Sequence, residues 1–200
     1  MKYIYAFTVF LLVTSSLFAQ EKIDLKKDTI LTEVFSTREI KGLETIVDYA
    51  DKIVLLNTDT KDISYGYHLF IEKMSIAENK NEIFKVDGVK DKNTFFKNLD
   101  KNTFNAIWLK PTSINGKKTS NNDYRLLDIT TIKSFGEYLK KVGAEDGYYA
   151  YFYKSISNIG SLTLDDALFF YAKHKDFDFD IPKNRLWAAI FVLTREYPEK

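Results

Sequence analysis

Ser36–Asn57, STREIKGLETIVDYADKIVLLN, decides the fold class. Its first four residues have the form of a capping box: the Ser36 hydroxyl can accept an orphan backbone N–H at a helix start while the Glu39 carboxylate reaches back to the cap. Ile40, Leu43, Val47, Ala50 and Val54 follow at spacings of three and four, flanked by Ile46 and Ile53. That spacing makes one face of a helix apolar and leaves the other charged. Gly42 weakens the helix slightly. Asn57–Asp62 reads as a turn, after which Ile63, Tyr67, Phe70, Met74 and Ala77 repeat the spacing. Two antiparallel helices joined by a short loop are the expected result.

The helical pattern continues towards the carboxy terminus. Phe95, Phe96, Leu99, Phe104, Ile107 and Trp108 predict a helix over 91–109, broken near Asp100 and closed by Pro111. Thr112–Asp123 offers almost nothing to bury and contains two turn-prone pairs, so it is expected to be the longest exposed loop and a site of proteolysis. Ile132, Phe135, Leu139 and Val142 mark a helix stopped by Gly143, and Tyr148–Ile159 another stopped by Gly160. Thr163 caps a third that runs to about His174. Pro182 stands in the first turn of the last helix. There the stripe Leu186, Ile190, Leu193 and Tyr197 is filled in by Trp187, Ala188, Ala189, Phe191 and Val192. A helix apolar on nearly every side is surrounded by others, so this one belongs at the centre. The fold class read from these elements is all-α: a single-domain irregular helical bundle of about six or seven helices over residues 36–200.

What precedes the bundle reads differently. Residues 20–35 are charged and weakly patterned, an N-terminal tether or short edge element. Met1–Ala19 has Lys2 and then an apolar run, Ile4–Val13, interrupted only by Thr8. This is the form of a secretory signal peptide, with cleavage expected after Ala19. These ten residues span about 15 Å of helix, half a hydrocarbon core, which is too short for a membrane anchor. No cysteine follows for a lipid to be attached to. The expectation is an exported chain, periplasmic or extracellular, with no integral membrane anchor after cleavage. Its lysine-, asparagine- and isoleucine-rich composition resembles that of exported proteins of AT-rich bacteria.

Composition removes several function classes. The 200 residues carry 29 basic and 28 acidic groups, and loss of Lys2 would balance them, so no net field steers the chain to nucleic acid. Lysines are spread along the chain rather than gathered with aromatics into a basic stripe. The absence of cysteine removes thiol catalysis and thiolate metal sites. No nucleophile-elbow, Walker, dinucleotide or zinc-protease pattern occurs, and no cofactor is expected. His68 and His174 are the two histidines. His68 stands one position off the stripe of its helix and is read as a boundary histidine without a metal-binding partner one turn away. His174 ends a helix, where a cation would meet the dipole favourably.

Three features remain as candidates. The run Tyr148-Tyr149-Ala150-Tyr151-Phe152-Tyr153 spreads its rings over about 200° of a helix, more than one buried stripe accommodates. Tyr149 or Tyr153 is therefore a candidate contact for a protein or glycan partner. Asp176, Asp178 and Asp180 alternate with Phe177 and Phe179. An EF-hand would need glycine and glutamate where Ile181 and Trp187 stand, so the residual reading is a weak divalent-ion module. Glu145, Asp146, Asp165 and Asp166 could serve a carboxylate-based hydrolase acting on cell-wall sugars, but each stands at a helix start where capping explains it. The function expected from the whole is a non-catalytic binding or interaction protein of the cell envelope, inhibitor-like or with an assembly role. The hydrolase and the ion module are the alternatives.

Overall fold

The computed structural model describes residues 22–111, 113–114, 117–118, 124, 127–195 and 197. The expected signal peptide, Met1–Ala19, lies outside them. The described chain is mostly helical, as an all-α bundle requires. Its helices are α1 (Thr29–Val34), α2 (Thr37–Asn57), α3 (Ile63–Asn79), α4 (Lys92–Asn98), α5 (Lys101–Ile107), α6 (Ser134–Gly143), α7 (Gly147–Ile159), α8 (Leu164–Lys173) and α9 (Pro182–Thr194). The break expected near Asp100 falls at Leu99–Asp100 and divides the 91–109 segment into α4 and α5, while α1 forms upstream of the expected bundle.

Several starts and stops have the causes the sequence suggested, but Gly143 is the last helical residue of α6 rather than a left-handed cap, and Ile132, 87 % exposed, lies before that helix. Ser36 and Glu39 form the capping box of α2, and Thr163 with Asp166 forms another at α8. Gly160 ends α7 with φ of 88°, a left-handed conformation that glycine adopts at no steric cost. Every stripe residue of α2 and α3 named above is buried. Residues 184–194 of α9 are buried all round. This central helix packs on α2, while α6 and α7 pair and α3 lies against α8.

The segment upstream of α2 is not a tether. Asp24 and Asp28 cap a 3₁₀ turn and α1, and Leu25 and Leu31 are 0 % exposed. Tyr138 of α6 donates to Asp28, fixing α1 against α6. Leu25, Leu31 and Phe35 are buried, with Ile23, Ile30 and Val34 packed partly against the core, each fully buried side chain supplying about 2 kcal/mol.

Short strands interrupt the helices. β1 (Trp108–Leu109) pairs antiparallel with β4 (Asp128–Ile129), and β2 (Ser113–Ile114) with β3 (Lys117–Lys118). The expected loop 112–123 therefore contains a two-residue ladder, and its remaining positions lie outside the described residues. Gly42 is a contact point rather than a weak link in α2. A Cβ there would come within 2.2 Å of the Thr103 hydroxyl, so the missing side chain is what lets α5 approach α2.

Candidate functional site

The residues singled out by sequence are dispersed. Tyr149 is 0 % exposed and donates its hydroxyl to Asn184 Oδ1 at 2.9 Å, so it belongs to the α7–α9 core and not to a contact surface. Burial pushes its phenol well above the ordinary range, with Asp146 adding to the shift. Tyr153 is half-buried against the same core. The five adjacent rings divide between two layers: Phe152 packs on Trp187, while Tyr151 lies over Phe169 with ring centres 4.2 Å apart.

The aspartates alternate outward while Phe177 and Phe179 are buried. Asp176 accepts from the Tyr148 hydroxyl at 2.6 Å, and Asp178 Oδ1 accepts from the Asp180 backbone N–H. Asp180 approaches Arg185 at 4.0 Å. Each carboxylate is turned to a different partner, and among the described residues no group of three or more histidines and carboxylates is placed to hold a metal ion. Asp146 caps α7 and pairs with Lys183 at 2.7 Å, and Asp166 is spent on the α8 capping box. Asp128 is pushed above the usual carboxylate range by burial, but its place is in β4.

Two polar pairs escape the sequence reading because their members are far apart in the chain. Arg185 of α9, 2 % exposed, forms a two-bond contact to Asp51 of α2, at 3.0 Å to Oδ1 and 2.8 Å to Oδ2. Tyr67 donates to the same carboxylate at 2.8 Å. His68 and His174 meet with their Nδ1 atoms 3.1 Å apart and ring centres 5.3 Å apart. The nitrogens therefore lie close to the line joining the rings, so one Nδ1 donates to the other. A shared metal ion would need both lone pairs to converge on a point off that line. Glu72, one turn after His68, is a carboxylate at helical ligand spacing that the reading of His68 overlooked, but it does not complete a metal group. Burial, then the facing His68, lowers His174 to about 4, and burial lowers His68 as well. The end of α8 thus holds a neutral ring rather than the cation expected there.

The candidate site is elsewhere, where α4, α5 and β1 meet. Phe96 and Trp108 form the floor of a pocket of about 620 Å³, with ring centres 5.1 Å apart at 83°. Phe104 and Tyr124 stand over it, the first 5.7 Å from Trp108 and the second stacked on Phe96 at 5.4 Å. Leu99 and Leu109 complete the apolar wall. The Trp108 indole N–H is committed to Thr194 of α9 at 2.8 Å, which anchors the floor to the central helix. Lys97, Lys101 and Lys110 supply the charge of the lining. The Lys110 ammonium sits 3.4 Å from the Tyr124 ring centre, a cation–π contact. Among the described residues of the lining there is no carboxylate and no histidine, and Asp100, between Leu99 and Lys101, turns to Arg38 at 2.9 Å.

A second cleft, of about 410 Å³, lies beside Arg185. Its lining mixes Lys22, Lys27, Lys61 and Arg185 with Asp24, Asp62 and Asp180, so both signs of charge are present. Compared with protein-family models, curated proteins and solved structures, the chain matches none.

Sequence reasoning missed the aromatic pocket because its rings come from both sides of a helix break and from Tyr124 across a strand. One signal was present. Within Phe96–Lys110, three lysines interleave with three aromatics, against the even spread assumed for the whole chain.

Proposed function

We propose that this chain is an exported, non-catalytic binding protein of the bacterial cell envelope that seats part of its partner in the α4–α5–β1 pocket. The export half of the reading rests on Met1–Ala19. The binding half rests on one observation: a pocket of ligand size, lined by aromatic rings and three lysines, with no carboxylate or histidine among the described residues of its lining. The exposed Leu109 and half-buried Tyr124, backed by the buried rings of Phe96, Phe104 and Trp108, supply non-directional apolar attraction, and the charged rim supplies orientation. No helix among the described residues is long and apolar enough to cross a membrane.

The experiment is hydrogen exchange of the purified chain with and without envelope extract, run beside an assay for reducing ends released from cell-wall sugars. Protection concentrated in 92–110, with no sugar released, is the expected outcome. Release of reducing ends, or protection confined to other segments, contradicts the proposal.

A further inference from the structure

We infer that the His68–His174 contact is an acid-released latch: the second proton taken up by the pair parts the 174–181 segment from α3 while that segment stays attached to α7 and α9. The latch does not depend on the α4–α5–β1 pocket being a binding site. The segment connects α8 to α9, and its ties to its neighbours differ in kind. Tyr148 of α7 donates to Asp176 at 2.6 Å, Asn184 of α9 to the Asp178 carbonyl at 2.8 Å, and Arg185 to the Phe179 carbonyl at 3.3 Å. Among the described residues, the histidine contact is the one hydrogen bond that joins 174–181 to α3. Beside it Phe179 packs on both His68 and Tyr67, with ring centres 4.7 Å and 5.3 Å apart. The cleft beside Arg185 is lined from both sides of this boundary, by Asp62 and Ile63 at the start of α3 and by Asp180, so its shape changes with the latch.

The proton arithmetic follows from the Nδ1 to Nδ1 geometry. With both rings neutral, one carries its proton on Nδ1 and donates to the Nδ1 lone pair of the other, whose own proton is on Nε2. A first added proton goes to the free Nε2 of the donor ring and leaves the hydrogen bond in place, now charge-assisted. A second has only the acceptor's Nδ1 to take. Two N–H groups then face each other across 3.1 Å between two cations, and the contact is lost. The groups that face the pair are Asp62 and Glu72 from the α3 side and Lys175 and Asp178 from the segment, while Lys173 at the end of α8 turns to Asp176 at 3.8 Å. The acids do not cancel burial and the facing ring, which hold His174 down at about 4. A lowered imidazole pKa in the closed form means that closure is favoured at neutral pH and is lost as pH falls towards that value.

The test is hydroxyl-radical footprinting of the purified chain at pH 7 and pH 4, with oxidation read residue by residue by mass spectrometry. Phe179 and Tyr67 lie on the boundary and are both 0 % exposed. Phe177 packs on Tyr148 and Phe170, and Trp187 lies in the core, so these two respond to general unfolding. Oxidation of Phe179 and Tyr67 is expected to rise on the order of tenfold at pH 4, with Phe177 and Trp187 within about twofold of their values at pH 7. His68→Asn, at a half-buried position, removes one of the two cations, and its oxidation pattern should be the same at both pH values. No rise at Phe179, an equal rise at Phe177 and Trp187, or a rise that persists in His68→Asn overturns the latch. The imidazole ¹⁵N shifts test the pairing without any variant. One histidine in the Nδ1–H form and the other in the Nε2–H form at pH 7 is the expected result, and two Nε2–H rings would overturn it.

Discussion

The His68–His174 contact joins α3 to the turn after α8, and its chemistry sets a pH dependence. His68 faces Asp178, Lys175 and Asp62, and His174 faces His68, Lys175 and Glu72. Both pKa values are depressed in the folded chain, His174 to about 4, so below the ordinary imidazole value of about 6.5 the unfolded chain binds more protons. Stability is then full above pH 7 and falls as pH drops from about 6.5 towards 4. Because solvent reaches the His68 side, the loss should be on the order of 2 kcal/mol rather than the full value of the shift. Urea unfolding across that range should show the slope, and His68→Asn, which keeps a hydrogen-bonding group but cannot titrate, should reduce it. An unchanged slope in the variant would remove the pair from the account.

Asp51 and Arg185 make a second prediction at this scale. Asp51→Ala leaves a guanidinium buried without its carboxylate and should cost about 3–5 kcal/mol in urea unfolding. Tyr67→Phe removes one hydrogen bond to the same carboxylate and should cost about 1 kcal/mol. If the two losses were equal, the ion pair would not be the centre of that network.

Among the elements, α2, α3 and α9 were readable because their apolar residues recur at three and four positions and are buried, except that Tyr197 lies past the end of α9 and is partly buried. The docking of 22–35 was missed although Leu31 and Phe35 recur at helical spacing, because the stretch is short and its lysines and aspartates mask the pattern. The tyrosine run was readable as a helix but could not be phased. With rings at five of six positions, the side carrying Tyr149 is as apolar as the side carrying Tyr151. Gly42 was read for propensity alone, whereas its role is set by α5. Gly42→Ala should cost about 1–3 kcal/mol through overpacking against Thr103. Thr103→Ala in the same chain should recover part of that loss, because it removes the hydroxyl and methyl that the new Cβ meets. Strictly additive losses in the double variant would place the strain elsewhere.

For the whole molecule, the sequence carried the architecture further than the site. A stripe on one helix is a local property, while the pocket exists only after the chain has broken at Leu99, turned through α5 and brought Tyr124 back onto Phe96. The aromatic surplus read from the carboxy-terminal quarter serves the core there. Trp187 lies among Phe152, Phe135 and Phe170, with its indole nitrogen buried and unpaired. The surplus that reaches an opening is in the middle of the chain, next to lysines.

The two tryptophans make that division measurable. Trp108 floors the pocket and Trp187 sits in the α6–α9 core, so a ¹H–¹⁵N spectrum carries one indole signal from each, assignable with Trp108→Phe. Titration with envelope extract is predicted to shift the Trp108 indole signal while the Trp187 signal stays in place. An unmoved Trp108 signal at saturating extract, or a shift confined to Trp187, would contradict the pocket as the binding site.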